Sequence, residues 1–237
     1  MRRFFSPQPL SASRVLLTGE EAHHLLHVSR IRPGESVVLF DGRGGEYTAR
    51  LLTGSADSAE LELDRHHPDD RLPTTRLVLA CAIPKGSHMD TLVQMTCELG
   101  VTSLVPMLTQ RSVVQGGAGK LEHWRRIVVE SCKQSGRNRL MTVEPPTPFG
   151  QVLGLTDDTG LKFILSTQPQ GNKLADSLRT ARAQSVLMLV GPEGGFTDEE
   201  LSAARECRFL PVSLTPATLR VETAAVTGST LVLLMLG

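Results

Sequence analysis

The chain has 237 residues, with 25 Lys plus Arg balanced by 25 Asp plus Glu, and 40% of its residues are apolar. That length suits one large domain or two modest ones, and the composition excludes an intrinsically disordered chain. Zero net charge argues weakly against a general nucleic-acid binder, because proteins that grip phosphate backbones usually carry a basic surplus.

The N-terminus, Met1-Arg2-Arg3-Phe4-Phe5-Ser6-Pro7, leads into no apolar run of signal-peptide length. Ser36–Asp41 and Glu46–Leu52 flank Gly42-Arg43-Gly44-Gly45, a hairpin signal. Ala59–Asp64 alternates with period two, and Ala22–Val28 has a helical pattern. Residues 1–70 therefore read as a small β-barrel with one helix. Arg65 to Pro73 is polar, holds two prolines and reads as a linker.

From Thr75 onward, apolar runs of strand length alternate with helical patterns. Arg76–Ala82 reads as a strand. Ser87–Leu99 reads as a helix with Ser87 as its N-cap, Asp90 three residues on, and Gly100 at its end. Leu104–Met107 is a short strand. Lys120–Gln134 is amphipathic, with Leu121, Trp124, Val128 and Cys132 inward and Arg125, Arg126 and Lys133 outward. Phe163–Ser166, Ser185–Val190 and Phe209–Leu214 are further strands. Asp198–Glu206 and Glu222–Leu236 are helices. This alternation implies a mostly parallel sheet covered on both faces, in a domain over residues 74–237.

The longest apolar stretch, Leu231 to Leu236, is far below the roughly 20 residues that a bilayer requires. No membrane association is expected. Cys81, Cys97, Cys132 and Cys207 form no Cys-x-x-Cys pair, so free thiols in a reducing cytoplasm are expected. His23 and His27 are four apart, but His24 stands where the zinc-protease pattern needs Glu. No metal site is expected.

The neutral total hides a division. Residues 1–72 carry nine basic and eleven acidic side chains, a net of −2. Residues 73–140 carry nine and four, a net of +5, and residues 141–237 carry seven and ten, a net of −3. The surplus sits almost wholly in Arg111 to Arg139.

Two loops carry candidate chemistry. Strand Ser185–Val190 runs into Gly191-Pro192-Glu193-Gly194-Gly195-Phe196, then Thr197 and Glu200 in capping-box spacing. Ligands of open α/β sheets bind at such carboxyl ends, and glycines let the backbone approach them closely. No phosphate-binding fingerprint is present, and Glu193 would repel phosphate, so hydroxyls, an amine or a positive charge suit the loop. The plain alternative is a β–α turn with a solvated glutamate. Leu214 to Ala225 also follows a strand and precedes a helix. Arg220 is a forked donor, and Glu222 is a base or a brace for it. The plain alternative there is a helix start with Glu222 favouring the N-terminal dipole.

Val190-Gly-Pro-Glu-Gly-Gly-Phe196, with Leu219-Arg220-x-Glu222-Thr223-Ala224-Ala225, resembles the ribosomal RNA small-subunit methyltransferase E family of knotted SPOUT methyltransferases. Further matches follow in order: Val28-x-Arg30, Gly34-Glu35, Phe40-Asp41-Gly42, Lys85-Gly86, Glu98-Leu99-Gly100-Val101, Arg111-Ser112 and Gln134-Ser135-Gly136-Arg137. The resemblance implies an N-terminal PUA-like barrel that binds RNA and a C-terminal SPOUT domain with a trefoil knot. It implies a homodimer, S-adenosylmethionine as methyl donor, and N3 of a uridine in 16S ribosomal RNA of the small subunit as acceptor.

On that basis Arg220 and Glu222 are the expected catalytic pair. Ser166, Val190, Gly191, Glu193, Gly194, Gly195, Leu214, Leu219 and Thr223 are expected at the donor. Arg30, Arg111, Arg125, Arg126, Lys133, Arg137 and Arg139 are expected on RNA phosphates, which position a substrate without reading its sequence. One departure stands out. The family reads Leu-Gly-Pro-Arg where this chain has Leu214-Thr215-Pro216-Ala217. That motivates a second reading, an RNA-binding protein of the same fold with impaired or no methyl transfer. A metabolic enzyme using a nucleotide cofactor is disfavoured by the missing fingerprint and the separate basic segment.

Overall fold

The computed structural model describes residues 1–112, 118–155, 160–166 and 172–237. It divides into two compact units, residues 1–72 with 129–140, and residues 73–128 with 141–237.

The first unit is built on β1 (Arg3–Phe5), β2 (Arg14–Thr18), α1 (Gly19–His23), β3 (Ser36–Phe40), β4 (Glu46–Gly54) and β5 (Ser58–His67). The strands hydrogen-bond in the order β1-β3-β4-β5-β2, antiparallel except for β1 with β3. Period-two alternation puts Val15 and Leu17 of β2 inside and Arg14 and Leu16 outside. Phe4, Leu25, Val37, Leu39, Leu51 and Leu61 complete the core. The expected helix over Ala22–Val28 is α1 followed by a π-helical turn, His24–Val28. The expected linker begins later than its polarity suggests. Arg65, His66 and His67 still pair with Thr48, Tyr47 and Glu46 in β5, and Tyr47 stacks on His66.

The second unit contains β6 (Arg76–Ala82), α2 (His88–Leu99), β7 (Ser103–Leu108), the first part of α3 (Ala118–Ser135), β8 (Thr142–Val143), β9 (Thr147–Pro148), α4 (Phe149–Val152), β10 (Leu161–Leu165), β11 (Asn172–Lys173), α5 (Leu174–Arg179), β12 (Ser185–Val190), α6 (Asp198–Glu206), β13 (Leu210–Ser213) and α7 (Val221–Leu236). The strand order is β11-β13-β10-β12-β6-β7-β8, with β9 also on β7, and every pairing is parallel. The five apolar residues of β12, Val186 to Val190, are all buried, as in a central strand of a parallel sheet covered on both faces. Ser87 occupies the N-cap position of α2 but makes no side-chain cap bond. Asp90 is committed elsewhere, accepting from Trp124 Nε1 at 3.2 Å and contacting His123 Nε2 at 2.8 Å. Trp124 is thereby a core residue with its one polar atom satisfied.

Helix α7 packs on β6, β12, α2 and α5. Gly228 makes this approach possible, since a Cβ there would lie 2.8 Å from Met188 Sδ. The adjacent Ser229 is fully buried, and its hydroxyl has no partner among the described residues. A buried unsatisfied hydroxyl costs about 1–3 kcal/mol. Ser229→Ala should therefore raise the thermal midpoint by about 2–4 °C for each kcal/mol recovered, read by calorimetry. An unchanged or lower midpoint would show that the hydroxyl is satisfied.

Candidate active site

The carboxyl ends of β10, β12 and β13 lie side by side, because these strands are neighbours in the sheet. The loops leaving them enclose a cavity of about 370 Å³. Ser166, Val190, Gly191, Glu193, Gly194, Gly195, Leu214 and Leu219 all line it, so two loops expected to build one pocket do so. Thr223 does not line it and is exposed one turn into α7.

The glycine loop has a defined shape. Gly195 adopts a left-handed φ of 68° and donates its N–H to Pro192 O at 2.8 Å. The Phe196 ring folds back over Gly191 so closely that a Cβ there would sit 2.9 Å from it. Glycine is required at both positions, once for conformation and once for space. Thr197 then caps α6. Its hydroxyl accepts from Glu200 N at 3.2 Å, and its own N–H donates to Glu200 Oε2 at 2.9 Å, the expected capping box. Beside it, the exposed Glu199 carboxyl is held below its ordinary range by backbone and Thr197 hydrogen bonds, with Arg111 adding to them.

Sequence reasoning missed part of the wall. Phe196, Leu201, Val212 and Val221 supply apolar surface, and Thr215 and Ala217, the two departures from the family pattern, also line the cavity. Arg111, expected on RNA, lines it too.

Arg220 and Glu222 stand at the start of α7, outside the cavity lining. The Arg220 side chain is exposed and has no hydrogen-bond partner among the described residues. Glu222 is mostly buried, and its Oε1 lies 3.4 Å from His88 Nδ1 at the start of α2. Glu222 is therefore braced by His88 and not by Arg220. Sequence reasoning had no signal for this, since the pair joins distant segments. Cys81, buried at the carboxyl end of β6, reports the local field. Burial pushes its thiol up, and the Glu222 and Glu193 carboxylates push it further. Two negative charges thus act on this end of the sheet, and the thiol stays protonated and unreactive.

The basic candidates separate sharply. Arg125 and Arg126 are exposed on α3, and Arg125 pairs with Glu122 at 3.0 Å. Arg30 is exposed in a left-handed conformation just past the π-helical turn. Of the three in the first unit, Arg137 and Lys133 are withdrawn from solvent and Arg139 is exposed but paired. Arg137 is only 4% exposed, so it cannot reach a phosphate as it stands. Arg139 pairs with Asp70 at 2.9 Å. Lys133, expected outward, is mostly buried between Glu21 at 2.8 Å and Glu130 at 2.9 Å. Lys133 and Arg139 fasten residues 129–140 to α1 and to the segment after β5, and buried Asn138 accepts from Arg3 Nη2 of β1 at 2.6 Å and donates to Asp69 O at 2.9 Å.

A parallel α/β unit with a glycine-loop cavity at its strand ends, joined to a small mostly antiparallel unit, defines a class. The RNA methyltransferase domain family matches residues 70–233, and the RNA methyltransferase PUA domain family matches residues 17–64. Within that class the chain belongs to the ribosomal RNA small subunit methyltransferase E family. It is 39% identical to the member from Aquifex aeolicus over 95% of this chain and 96% of the relative. It is 35% identical to the member from Synechocystis over 94% of this chain and 74% of the relative. The crystal structure of the Neisseria gonorrhoeae member bound to S-adenosylmethionine superposes with a TM-score of 0.92 at 34% identity, covering 100% of this chain and 98% of that one.

Lys133 carries a pH prediction. Burial alone lowers its ammonium, but hydrogen bonds and charge from Glu21 and Glu130 outweigh this and raise it above the ordinary 10.5. The stabilisation is therefore fully present below 10.5 and is lost as pH rises through the folded value. Lys133→Met leaves Glu21 without its cation and should cost about 1–3 kcal/mol at pH 7. The gap from wild type in denaturant titrations should narrow above pH 10.5, and a pH-independent gap would mean that packing, not charge, is lost.

Proposed function

We propose that this chain transfers a methyl group from S-adenosylmethionine to N3 of a uridine in 16S ribosomal RNA of the small ribosomal subunit. The observation that carries the reading is the cavity at three strand ends, with Glu193 in its wall and the Glu193 and Glu222 carboxylates both acting on the neighbouring strand end. The donor fits these residues. The cavity falls in the usual range for small ligands, roughly 300–1,000 Å³, with apolar walls for a nucleoside and open backbone from the glycines. Acidic surroundings favour a cationic ligand. When bound, S-adenosylmethionine supplies an electrophilic methyl group on a positively charged sulfur.

The remaining work belongs to the chain. Uracil N3 is a poor nucleophile until its proton leaves. Arg220, exposed and free of internal partners among the described residues, is available to donate to a uracil carbonyl oxygen and stabilise the anion that forms. Glu222 is the proton acceptor, its carboxylate mostly buried with His88 Nδ1 3.4 Å from its Oε1. Arg125, Arg126 and Arg30 offer exposed charge to phosphates. The barrel over residues 1–70 is assigned to RNA and residues 74–237 to methyl transfer. The trefoil knot and homodimer implied by the family resemblance belong to the same proposal, and the exposed Leu234 and Met235 of α7 supply apolar surface for a partner subunit. Action on ribosomal RNA implies a cytoplasmic protein, and no described helix is long and apolar enough to cross a membrane.

Arg220→Ala tests the assignment. Labelled methyl transfer to small subunits lacking the modification should fall by about 10²–10³-fold, the usual loss of one charge-stabilising donor. Donor affinity by calorimetry should stay within about twofold, since an exposed residue outside the cavity contributes little to binding. Full activity in the variant would remove Arg220 from the mechanism. No donor binding by the wild-type chain would favour the RNA-binding reading that Thr215 and Ala217 motivate.

A further inference from the structure

Arg111 lies in the segment whose charge pattern suggested RNA, and although the residue is exposed its guanidinium is tied to the glycine loop. Nη1 donates to Gly194 O at 2.6 Å and lies 3.3 Å from Phe196 O. Its stem rests on Gly194, where a Cβ would sit 3.4 Å from Arg111 Cδ and 3.7 Å from Arg111 Cβ. The turn that presents it is itself braced. Thr109 N donates to Ser112 Oγ at 2.9 Å, Ser112 N to Thr109 O at 3.1 Å, and Gln110 N to Glu200 Oε1 at 2.9 Å.

The peptide joining Gly194 to Gly195 has a conformational problem that this geometry solves. Flanked by two glycines, it can flip at little steric cost. A flip would exchange the directions of Gly194 C=O and Gly195 N–H. In the structure both ends are tied, the N–H to Pro192 O at 2.8 Å and the C=O to Arg111. A charge-assisted bond to a carbonyl is stronger than a neutral one, so the arginine selects a single orientation of the loop wall.

We propose that Arg111 is a positioning residue for the methyl-donor loop and not a phosphate contact, so that its charge acts on donor affinity and leaves RNA affinity alone. The proposal rests on the donor-site reading above. It assigns the Arg111-Ser112 motif to loop geometry, with Ser112 shaping the turn and Arg111 holding the glycine peptide.

Arg111→Ala and Arg111→Lys separate the two roles. S-adenosylmethionine affinity, measured by calorimetry, should weaken about tenfold in Arg111→Ala, or one decade in Kd. Arg111→Lys should fall between Arg111→Ala and wild type, because an ammonium keeps the charge but sits on a shorter stem than the guanidinium Nη1 that reaches both carbonyls. In the ligand-free chain, hydrogen exchange at the Gly195 amide should speed up in Arg111→Ala. RNA affinity and its salt slope should not change. Unchanged donor affinity and exchange, with a salt slope reduced by about one, would overturn the proposal and restore the phosphate role. Should Arg111→Ala fail to fold, the lysine variant decides by the same readouts. Wild-type chain that binds no donor overturns the donor-site reading itself, and this proposal with it, whereas normal wild-type binding with an insensitive variant overturns only the role of Arg111.

Discussion

The arrangement of the cavity depends on a buried carboxylate. Glu200 is 5% exposed, and each of its oxygens accepts a backbone N–H, Oε2 from Thr197 and Oε1 from Gln110. A buried carboxylate without partners would be costly, so its burial commits both donors to fixed places. Thr197 ends the glycine loop, and Gln110 lies just past β7. One side chain thus ties the start of α6, the loop before it and the turn after β7 into a single block. Arg111 and Phe196 then hold the loop from either side, with Phe196 packed against Phe149. The loop carries glycines where the backbone needs freedom, and the neighbouring residues remove that freedom once the chain is folded. A site built this way is preorganised before any ligand arrives, which is where binding and catalysis gain most.

The same logic operates in the first unit, with charge in place of a loop. Residues 129–140 are sequence-distant from the strands they join, and nearly every bond that holds them is polar. Lys133 reaches Glu21, Asn138 takes Arg3 and Asp69, and Arg139 pairs with Asp70. Glu21 also accepts from Phe5 N, so a single carboxylate connects the segment to β1. Arg3 in turn pairs with Glu46. Partly buried pairs of this kind contribute modest net stability but impose a strong geometric requirement, because each unpaired group would be left desolvated.

What could be read in the sequence follows local physics. Strands β6 and β12 and helix α6 lie where apolar runs and a capping box put them, because each is decided by neighbours a few residues away. The glycine loop was legible because its conformational demands are written in its residue types. Short pieces such as β1, β8, β9 and β11 were not, since two or three residues carry no periodicity and are strands only through their partners. The basic residues were the hardest. Composition counts Arg111, Arg125, Lys133, Arg137 and Arg139 equally with Arg126, but only the fold says which have an internal acceptor. Ser87 failed in the same way, as a good capping residue whose backbone turn does not use its hydroxyl. His88 next to Glu222 joins two helices and leaves no local trace at all.

The electrostatic consequence concerns how an RNA substrate is recognised. The segment Arg111 to Arg139 looked like a basic footprint, yet five of its seven cations bind carbonyls or carboxylates inside their own unit. Each phosphate contact that is not made removes nearly one unit from the salt dependence of binding. Cations paired with carboxylates add little net charge, so the segment attracts a polyanion less than its residue count suggests. Neutral net charge fits this pairing, because a cation matched by a carboxylate leaves no surplus to attract a phosphate backbone.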